Sequence, residues 1–148
     1  MEKSFNHRDL EIWQLGMDLV EHIYRVTAEF PDDERFGLIS QVRRAAVSVP
    51  TNISEGWGRH SQANLANFVR IARGSLCELD TLVELAKRLG FLTEEAWAEL
   101  NLEMDVIGRK SYAFLRKVEA STVHENRHEY SFVHINPKTL AAISELGP

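Results

Sequence analysis

The chain has 148 residues, of which 44% are hydrophobic and 26% are charged. This length suits one domain with one core, and this composition excludes a chain that is disordered throughout. No run of about 18 apolar residues exists, so the sequence predicts no membrane span. The N-terminus lacks the apolar stretch of a signal peptide, and the one cysteine, Cys77, cannot form an internal disulfide. Both observations predict a cytoplasmic protein.

The first segment carries apolar side chains at alternating steps of three and four residues, which is typical of the buried face of a bundle helix. The predicted face comprises Leu10, Trp13, Met17, Val20, Tyr24 and Thr27. Asp9 is the expected N-cap. Pro31 is expected to end this helix, because the residue before proline avoids helical geometry. Asp32 or Asp33 is then expected to cap the second helix.

The second segment repeats the pattern at Leu38, Val42, Ala45, Val49 and Ile53, with Ile39 and Ala46 widening the face. Pro50 lies inside this segment and removes one backbone hydrogen bond, so the helix either kinks or breaks there. The apolar repeat continues as far as Ile53, which favours a kink. Gly56 and Gly58 are expected to end the helix.

The third and fourth segments have clear limits. Ser61 and Thr93 are the expected starts, and Gly90 is the expected end of the third helix. The predicted faces are Leu65, Phe68, Ala72, Leu76, Leu79, Val83 and Ala86, then Trp97, Leu100, Met104, Ile107, Ser111, Phe114 and Val118. Cys77 lies in a stretch rich in core residues and is expected to be a buried, inert thiol.

All three connections are short, so neighbouring helices should run antiparallel. The sequence therefore predicts an all-α fold, an antiparallel up-down-up-down four-helix bundle over residues 1–119 with a C-terminal extension over residues 120–148. Within the extension, residues 130–135 suit a short extended segment and residues 138–146 a short helix. The extension packs on the bundle, reaches a neighbouring subunit, or is partly disordered, and these alternatives stay open.

The extension contains His124 and His128 around Glu125, in the spacing of a zinc metalloprotease motif. On a helix the two histidines would share a face, with Glu125 as general base. A tail of 29 residues offers little scaffold for a cleft and a third ligand. We therefore predict no catalytic residues and no cofactor, and keep adventitious metal binding by His124 and His128 as an alternative.

Charge is distributed unevenly along a chain whose net charge is −5. Residues 1–34 hold nine acidic and three basic side chains, whereas residues 35–73 hold six arginines and one acid, Glu55. Arginine makes bidentate contacts with phosphate or carboxylate groups. One hypothesis is a nucleic-acid-binding surface formed by Arg43, Arg44, Arg59, Arg70 and Arg73. The alternative is that these arginines pair with the acidic helices.

Four segments place polar residues and glycine at fixed positions among the apolar ones. They comprise Leu10, Trp13 and Gln14; Phe30, Pro31, Glu34, Phe36, Gly37 and Leu38; Gln41, Arg43, Arg44, Ala45, Ala46, Ser48, Pro50, Asn52, Glu55, Gly56, Gly58 and Arg59; and Phe68, Ile71, Ala72, Gly74, Ser75, Leu76 and Glu78. Together they resemble the bacterial four-helix-bundle proteins encoded in intervening sequences of large-subunit ribosomal RNA genes. The resemblance covers about residues 8–118.

The resemblance implies a ring-forming bundle, typically a homopentamer, with no established enzymatic activity. The family is similar to the accessory variability determinant protein of retroelements, which associates with a reverse transcriptase and nucleic acid. That relative is basic, whereas this chain is acidic. We therefore expect a non-enzymatic homo-oligomer that is a scaffold or associates with RNA or DNA. The alternative is a protein–protein assembly module whose arginines are purely structural.

The shared motif also has a structural interpretation. Arg43 and Arg44 are adjacent and point about 100° apart on a helix, so they cannot face one partner together. Glu55 and Glu78 are their candidate partners, and Asn52 is expected to bond backbone groups near the kink. The predicted structural set is Gln41, Pro50, Asn52, Glu55, Gly56 and Glu78.

Overall fold

A computed structural model describes residues 5–125 of the chain, with side chains as far as residue 122. The described residues form four α-helices, α1 (Glu11–Thr27), α2 (Leu38–Gly58), α3 (Gln62–Arg88) and α4 (Glu94–Glu125), together with two short 3-10 turns and no strand. Each helix packs on the next, and α4 closes against α1. The all-α four-helix bundle predicted from the sequence is therefore confirmed.

Contacts between α1 and α4 show the antiparallel arrangement. Lys110 Nζ lies 2.9 Å from Glu11 Oε1, and His22 Nδ1 lies 2.6 Å from Glu103 Oε1. From Glu11 to His22 along α1, the partner on α4 moves back from Lys110 to Glu103, so the two helices run in opposite directions. The short connections make each helix reverse the direction of the one before it, so the first and fourth helices are antiparallel as well.

The core follows the predicted faces on α2, α3 and α4, but the predicted face of α1 is wrong at Met17 and Tyr24. Met17 and Tyr24 are 38% and 45% exposed. The buried residues of α1 are Ile12, Gly16, Leu19, Ile23 and Thr27. The helix carries apolar side chains on two faces, and the regular spacing belongs to the outer one. Gly16 lies on the inner face and weakens its apolar signal in the sequence, whereas Leu10 and Thr27 are buried as predicted.

The starts of α1 and α2 also differ from the prediction. Asp9 does not cap α1, since it belongs to a 3-10 turn, where its carboxylate accepts a hydrogen bond from the Asn6 backbone at 2.9 Å. Residues 32–34 form a separate 3-10 turn before α2. The Glu34 carboxylate accepts from the backbone N–H of Leu38 at 3.0 Å, so it satisfies one of the donors left open at the start of α2.

Helix α2 continues through Pro50, so the expectation that it does not break there is confirmed. Side chains in the same turn bond nearby carbonyl groups. Thr51 Oγ1 donates to the Val47 carbonyl at 2.8 Å, and Asn52 Nδ2 donates to the Ser48 carbonyl at 2.7 Å. The buried proline ring faces α1 at Gly16, where an added Cβ would lie 3.4 Å from the Pro50 Cβ.

The prediction that Gly56 helps to end α2 is wrong, because the helix continues past it to Gly58. Gly56 instead allows α3 to approach α2 closely. A Cβ at this position would lie 2.6 Å from the Phe68 Cβ and 3.2 Å from the Leu65 Cα. The helix ends at Gly58, and His60 then adopts a φ of 53°. Gly90, with a φ of 79°, ends α3 as predicted. The Phe91 N–H bonds the Ala86 carbonyl there, as in a Schellman cap.

The other predicted starts are confirmed. Ser61 Oγ accepts from the Asn64 N–H at 3.4 Å, and Thr93 Oγ1 accepts from the Ala96 N–H at 3.1 Å. Helix α4 runs to Glu125, past the expected boundary at residue 119. His124 lies in its last turn, but its side chain and all of His128 lie outside the described residues, as do the predictions for residues 130–135 and 138–146.

Candidate nucleic-acid interface

An open groove lies on the outer side of α2, where the start of this helix passes the end of α1. Its volume is about 690 Å³. The lining contains three arginines, two aromatic side chains and three serine or threonine side chains, but no carboxylate. We call it the arginine groove, and it is lined by Tyr24, Arg35, Phe36, Ile39, Ser40, Arg43, Arg44, Val47, Ser48 and Thr51.

Arg43 lies on α2 and contacts the end of α1, at the seam between these two helices. Its Nε donates to Thr27 Oγ1 at 2.9 Å, and its guanidinium carbon lies 4.4 Å from the centroid of the Tyr24 ring. Thr27 is fully buried, and its hydroxyl donates in turn to the Ile23 carbonyl at 2.7 Å. Arg43 therefore satisfies a buried polar group and holds the end of α1 against α2.

Arg44 lies one residue further along and points away from that seam, as adjacent positions on a helix require. It is exposed and makes no ion pair, hydrogen bond or ring contact with another described residue. Arg35 is also exposed, and its guanidinium carbon lies 5.9 Å from the centroid of the Phe36 ring. The groove thus presents guanidinium groups that no described carboxylate neutralises.

Phe36 is the most exposed large apolar side chain of the described part, at 93%. It lies between the 3-10 turn of residues 32–34 and the start of α2 at Leu38. A guanidinium and an aromatic ring together can bind a phosphate and stack on a base. The arginine groove contains both groups side by side.

The other three arginines of the predicted surface lie outside the groove. Arg59 pairs with Glu55 at 2.8 Å within α2. Arg70 pairs with Glu119 across the seam between α3 and α4. Arg73 lies over the Tyr112 ring at 5.1 Å in the same seam. The structure thus brings Arg43 and Arg44 together with Arg35 and separates the rest.

The predicted structural residues also have definite positions. Glu55 pairs with Arg59, while Gln41 and Glu78 are exposed, and no described ion pair joins Glu78 to either arginine of the motif. Asn52 Nδ2 contacts the Ser48 hydroxyl at 2.9 Å, and that hydroxyl lies 2.8 Å from the hydroxyl of Ser75 on α3. This small polar cluster joins α2 to α3 behind the groove.

Two side chains differ from what the sequence indicated. Cys77 is exposed and not buried, because it lies about 100° from the buried Leu76 on α3. His22, for which the sequence showed no partner, lies between two carboxylates of α4, at 2.6 Å from Glu103 and 3.8 Å from Glu99.

Among the described carboxyl groups, Glu84 has a clearly perturbed pKa, and this residue lies away from the groove. A hydrogen bond from Arg88 holds the pKa of Glu84 below its ordinary value, and the Trp97 indole N–H, 3.0 Å from the carboxylate, acts in the same direction. These residues join α3 to the start of α4. Their exposed position and mutual pairing indicate a surface network and not a reactive group.

The described part of the chain contains neither a metal-binding cluster nor a helix suited to span a membrane. No group of three or more histidine, cysteine, aspartate or glutamate side chains there could hold a metal ion. None of the helices in that part combines the length and apolar character that a membrane span requires.

Sequence reasoning missed Tyr24 and Phe36 as groove residues and did not single out Arg35. Tyr24 was assigned to the core because it fits the outer apolar stripe of α1. Arg35 and Phe36 precede α2, and no periodicity indicates which way such residues point. The one available signal was the juxtaposition of Arg35 and Phe36 directly before a helix rich in arginine.

Comparison with known proteins is consistent with this fold. No curated protein matches the chain. A solved structure from Bacteroides thetaiotaomicron VPI-5482, a protein of unknown function from the S23 ribosomal protein family, is similar with a TM-score of 0.66 and 20% identity, covering 71% of this chain and 95% of that one. The profile of the 23S rRNA-intervening sequence protein family matches residues 8–113. The chain therefore belongs to the 23S rRNA-intervening sequence protein family.

Proposed function

We propose that this protein is a non-enzymatic RNA-binding scaffold and that the arginine groove is its RNA-binding surface. The observation that supports this proposal is the lining of the groove, which combines Arg35 and Arg44 with exposed aromatic rings and contains no carboxylate. Positive charge placed beside a stacking surface is the combination that binds single strands of nucleic acid.

The net charge of −5 does not oppose the proposal, because binding depends on the local field. At physiological salt the Debye length is about 8 Å, so exposed charges further from the groove are largely screened. Arg44 is well placed for phosphate, since its donors are not used by other described residues. Arg43 contributes charge while holding α1 to α2.

The experiment is a fluorescence-anisotropy titration of a labelled, unstructured RNA of about 12 nucleotides, within the usual site size for such surfaces, at two salt concentrations. The test variant is R35Q/R44Q, which removes the two exposed arginines of the groove. The control is R88Q/R109Q, which removes the same charge from arginines that pair with Glu84 and Asp105 on other faces.

We expect the wild type to bind and its affinity to fall with salt, because each phosphate contact releases counterions. R35Q/R44Q should bind at least about tenfold more weakly, and its salt slope should fall by about 1.4, from about 0.7 per lost contact on a single strand. R88Q/R109Q should keep the slope of the wild type. Equal losses of RNA affinity in both variants would show that only net charge matters, and this result would contradict the proposal.

Self-assembly is a second candidate function, and a separate observation favours it. On the outer side of α1, Met17 and Tyr24 are exposed and Trp13 and Val20 are only partly covered by the core, so these four side chains form an apolar stripe that the bundle leaves incompletely buried. A surface helix normally has one apolar face, and a second one marks an interaction site. We propose that this stripe packs against another copy of the chain, in a homopentamer or in a protein–protein assembly module.

Light scattering of the purified protein tests this second candidate. The wild type should have the mass of five chains, and M17K should shift the mass toward one chain because it places a charge in the stripe. L102K is the matched control, since Leu102 is 64% exposed on α4, away from the stripe. A monomeric wild type, or an equal shift in both variants, would contradict assembly through α1.

A further inference from the structure

We propose that the arginine groove selects single-stranded RNA by stacking one unpaired base on the exposed ring of Phe36. This inference rests on the proposed function and specifies its ligand. A surface that used only Arg35 and Arg44 would bind duplex and single strand alike, because both present phosphates. Stacking on Phe36 also requires an unpaired base, which a duplex does not offer.

The geometry of Phe36 carries the argument. With 93% of its side chain exposed, the ring contributes almost nothing to the core. Its described ring contact is with Arg35, whose guanidinium carbon lies 5.9 Å from the ring centroid. A ring so exposed, with a guanidinium beside it, can place a base between a π-face and a positive charge.

The strand state of the ligand follows from this arrangement. Bases inside a duplex are already stacked on one another, and flipping one out requires breaking its pairing and stacking. Unpaired bases are accessible and stack on aromatic side chains at little cost. The phosphate on one side of a base can then reach Arg44, which lines the same groove.

The hydroxyl groups of the groove indicate RNA in preference to DNA. Ser40 lines the groove and makes no side-chain hydrogen bond to another described residue, whereas Ser48 and Thr51 are already bonded. A ribose 2′-hydroxyl can donate to and accept from such a side chain, and it is the group that distinguishes RNA from DNA. The groove therefore matches a single RNA strand in charge, stacking and sugar contact.

The experiment compares four proteins with three ligands, which are a single-stranded RNA, the same sequence as an RNA duplex, and the same sequence as single-stranded DNA. The proteins are wild type, F36A, F36W and R35Q/R44Q, each titrated at two salt concentrations. Phe36 is so exposed that F36A should leave folding intact, and thermal unfolding of each variant checks this.

We expect F36A to bind the single-stranded RNA about tenfold more weakly than wild type, with an unchanged salt slope, because stacking releases no counterions. F36W should restore the affinity. The duplex should bind more weakly than the single strand and should not respond to F36A. The DNA strand should bind more weakly than the RNA strand.

The two proposals fail in different ways. If F36A binds like wild type, or the duplex binds as tightly as the single strand, base stacking is wrong while phosphate binding by the groove stands. If the DNA strand binds as tightly as the RNA strand, the sugar contact is wrong and the inference as stated is overturned. If wild type binds none of the ligands, RNA binding fails altogether. If F36A changes the mass in light scattering instead of RNA affinity, the ring packs against another copy and the inference is overturned.

Discussion

Two regions of the molecule combine arginine with exposed aromatic rings, and they differ in how the arginines are used. In the seam between α3 and α4, Arg73 lies over Tyr112, Arg116 donates to the Tyr112 hydroxyl at 3.2 Å, and Arg70 pairs with Glu119. In the arginine groove, Arg44 has no described partner and Phe36 is nearly fully exposed. Arginine content alone therefore does not identify a binding surface, since donors committed to the fold are not available to a ligand.

The difference also explains why the five arginines of the predicted surface do not act as one set. Three of them contact groups on or beside α3 and α4, and Arg43 holds a buried hydroxyl. In the seam, the hydrogen bond with Tyr112 raises the pKa of Arg116 further above its ordinary value. In the groove, Arg35 and Arg44 face solvent and form no ion pair with a described carboxylate.

The largest effect is expected where α2, the floor of the groove, meets α3. G56A places a Cβ 2.6 Å from the Phe68 Cβ, so one helix must move. We expect a loss of about 1–3 kcal/mol of unfolding free energy, the usual cost of overpacking. G58A is the control, because nothing lies within 4 Å of a Cβ there. Urea unfolding measures both, and an undiminished stability of G56A would show that this approach is not tight.

The next effect separates the two adjacent arginines. R43A leaves the buried Thr27 hydroxyl without its donor and removes the contact with Tyr24, so we expect a loss of about 1–2 kcal/mol. R44A should change stability by less than about 0.5 kcal/mol, as for an exposed side chain without described contacts. Equal losses in urea unfolding would mean that both arginines are structural, and the groove would lose its distinction from the seam.

A smaller effect is expected from the ion pair in the seam between α3 and α4. Arg70 and Glu119 are 54% and 44% exposed, so water screens their attraction. A double-mutant cycle with R70A and E119A should give a coupling of about 0.2–1 kcal/mol. R70A and the control R109A each remove one positive charge, so the two variants should bind RNA with equal affinity. A selective loss of affinity in R70A would move the binding surface to the seam.

The smallest effect concerns acid stability. The pKa of Glu84 is lower in the fold than in the unfolded chain, chiefly because of Arg88, so its ionised form stabilises the fold above the ordinary carboxyl pKa. That contribution is lost as the pH falls through the lowered value. E84Q should therefore be less stable than wild type near pH 7, and the difference should vanish in acid. E78Q, an exposed carboxyl on the same helix, should show little difference at either pH.

The fold could be read from the sequence to the extent that local signals determine it. Short connections gave the topology, and Ser61, Thr93 and Gly90 marked helix limits because their side chains or φ angles act within a few residues. The face of α1 could not be read in the same way, because two apolar stripes compete and only packing selects one. The role of Gly56 likewise depends on a helix that follows it in sequence and packs beside it.

The site was less predictable, for a related reason. The motif drew attention to Arg43 and Arg44, but their different roles follow from Thr27, which lies sixteen residues away from Arg43. Phe36 lies between a 3-10 turn and α2, where the sequence predicts the first turn of the helix, so no spacing rule indicates that its ring is exposed. Tertiary contacts decide which donors remain available, and no spacing rule encodes them.

Photo-cross-linking tests the central distinction between the two regions most directly. A single-stranded RNA carrying 4-thiouridine is bound at low salt and irradiated, and the cross-linked peptides are identified by mass spectrometry. The arginine groove predicts adducts at Phe36 or Tyr24 and none at Tyr112. Adducts at Tyr112, or bound RNA that cross-links to neither Phe36 nor Tyr24, would contradict the assignment of RNA binding to the arginine groove.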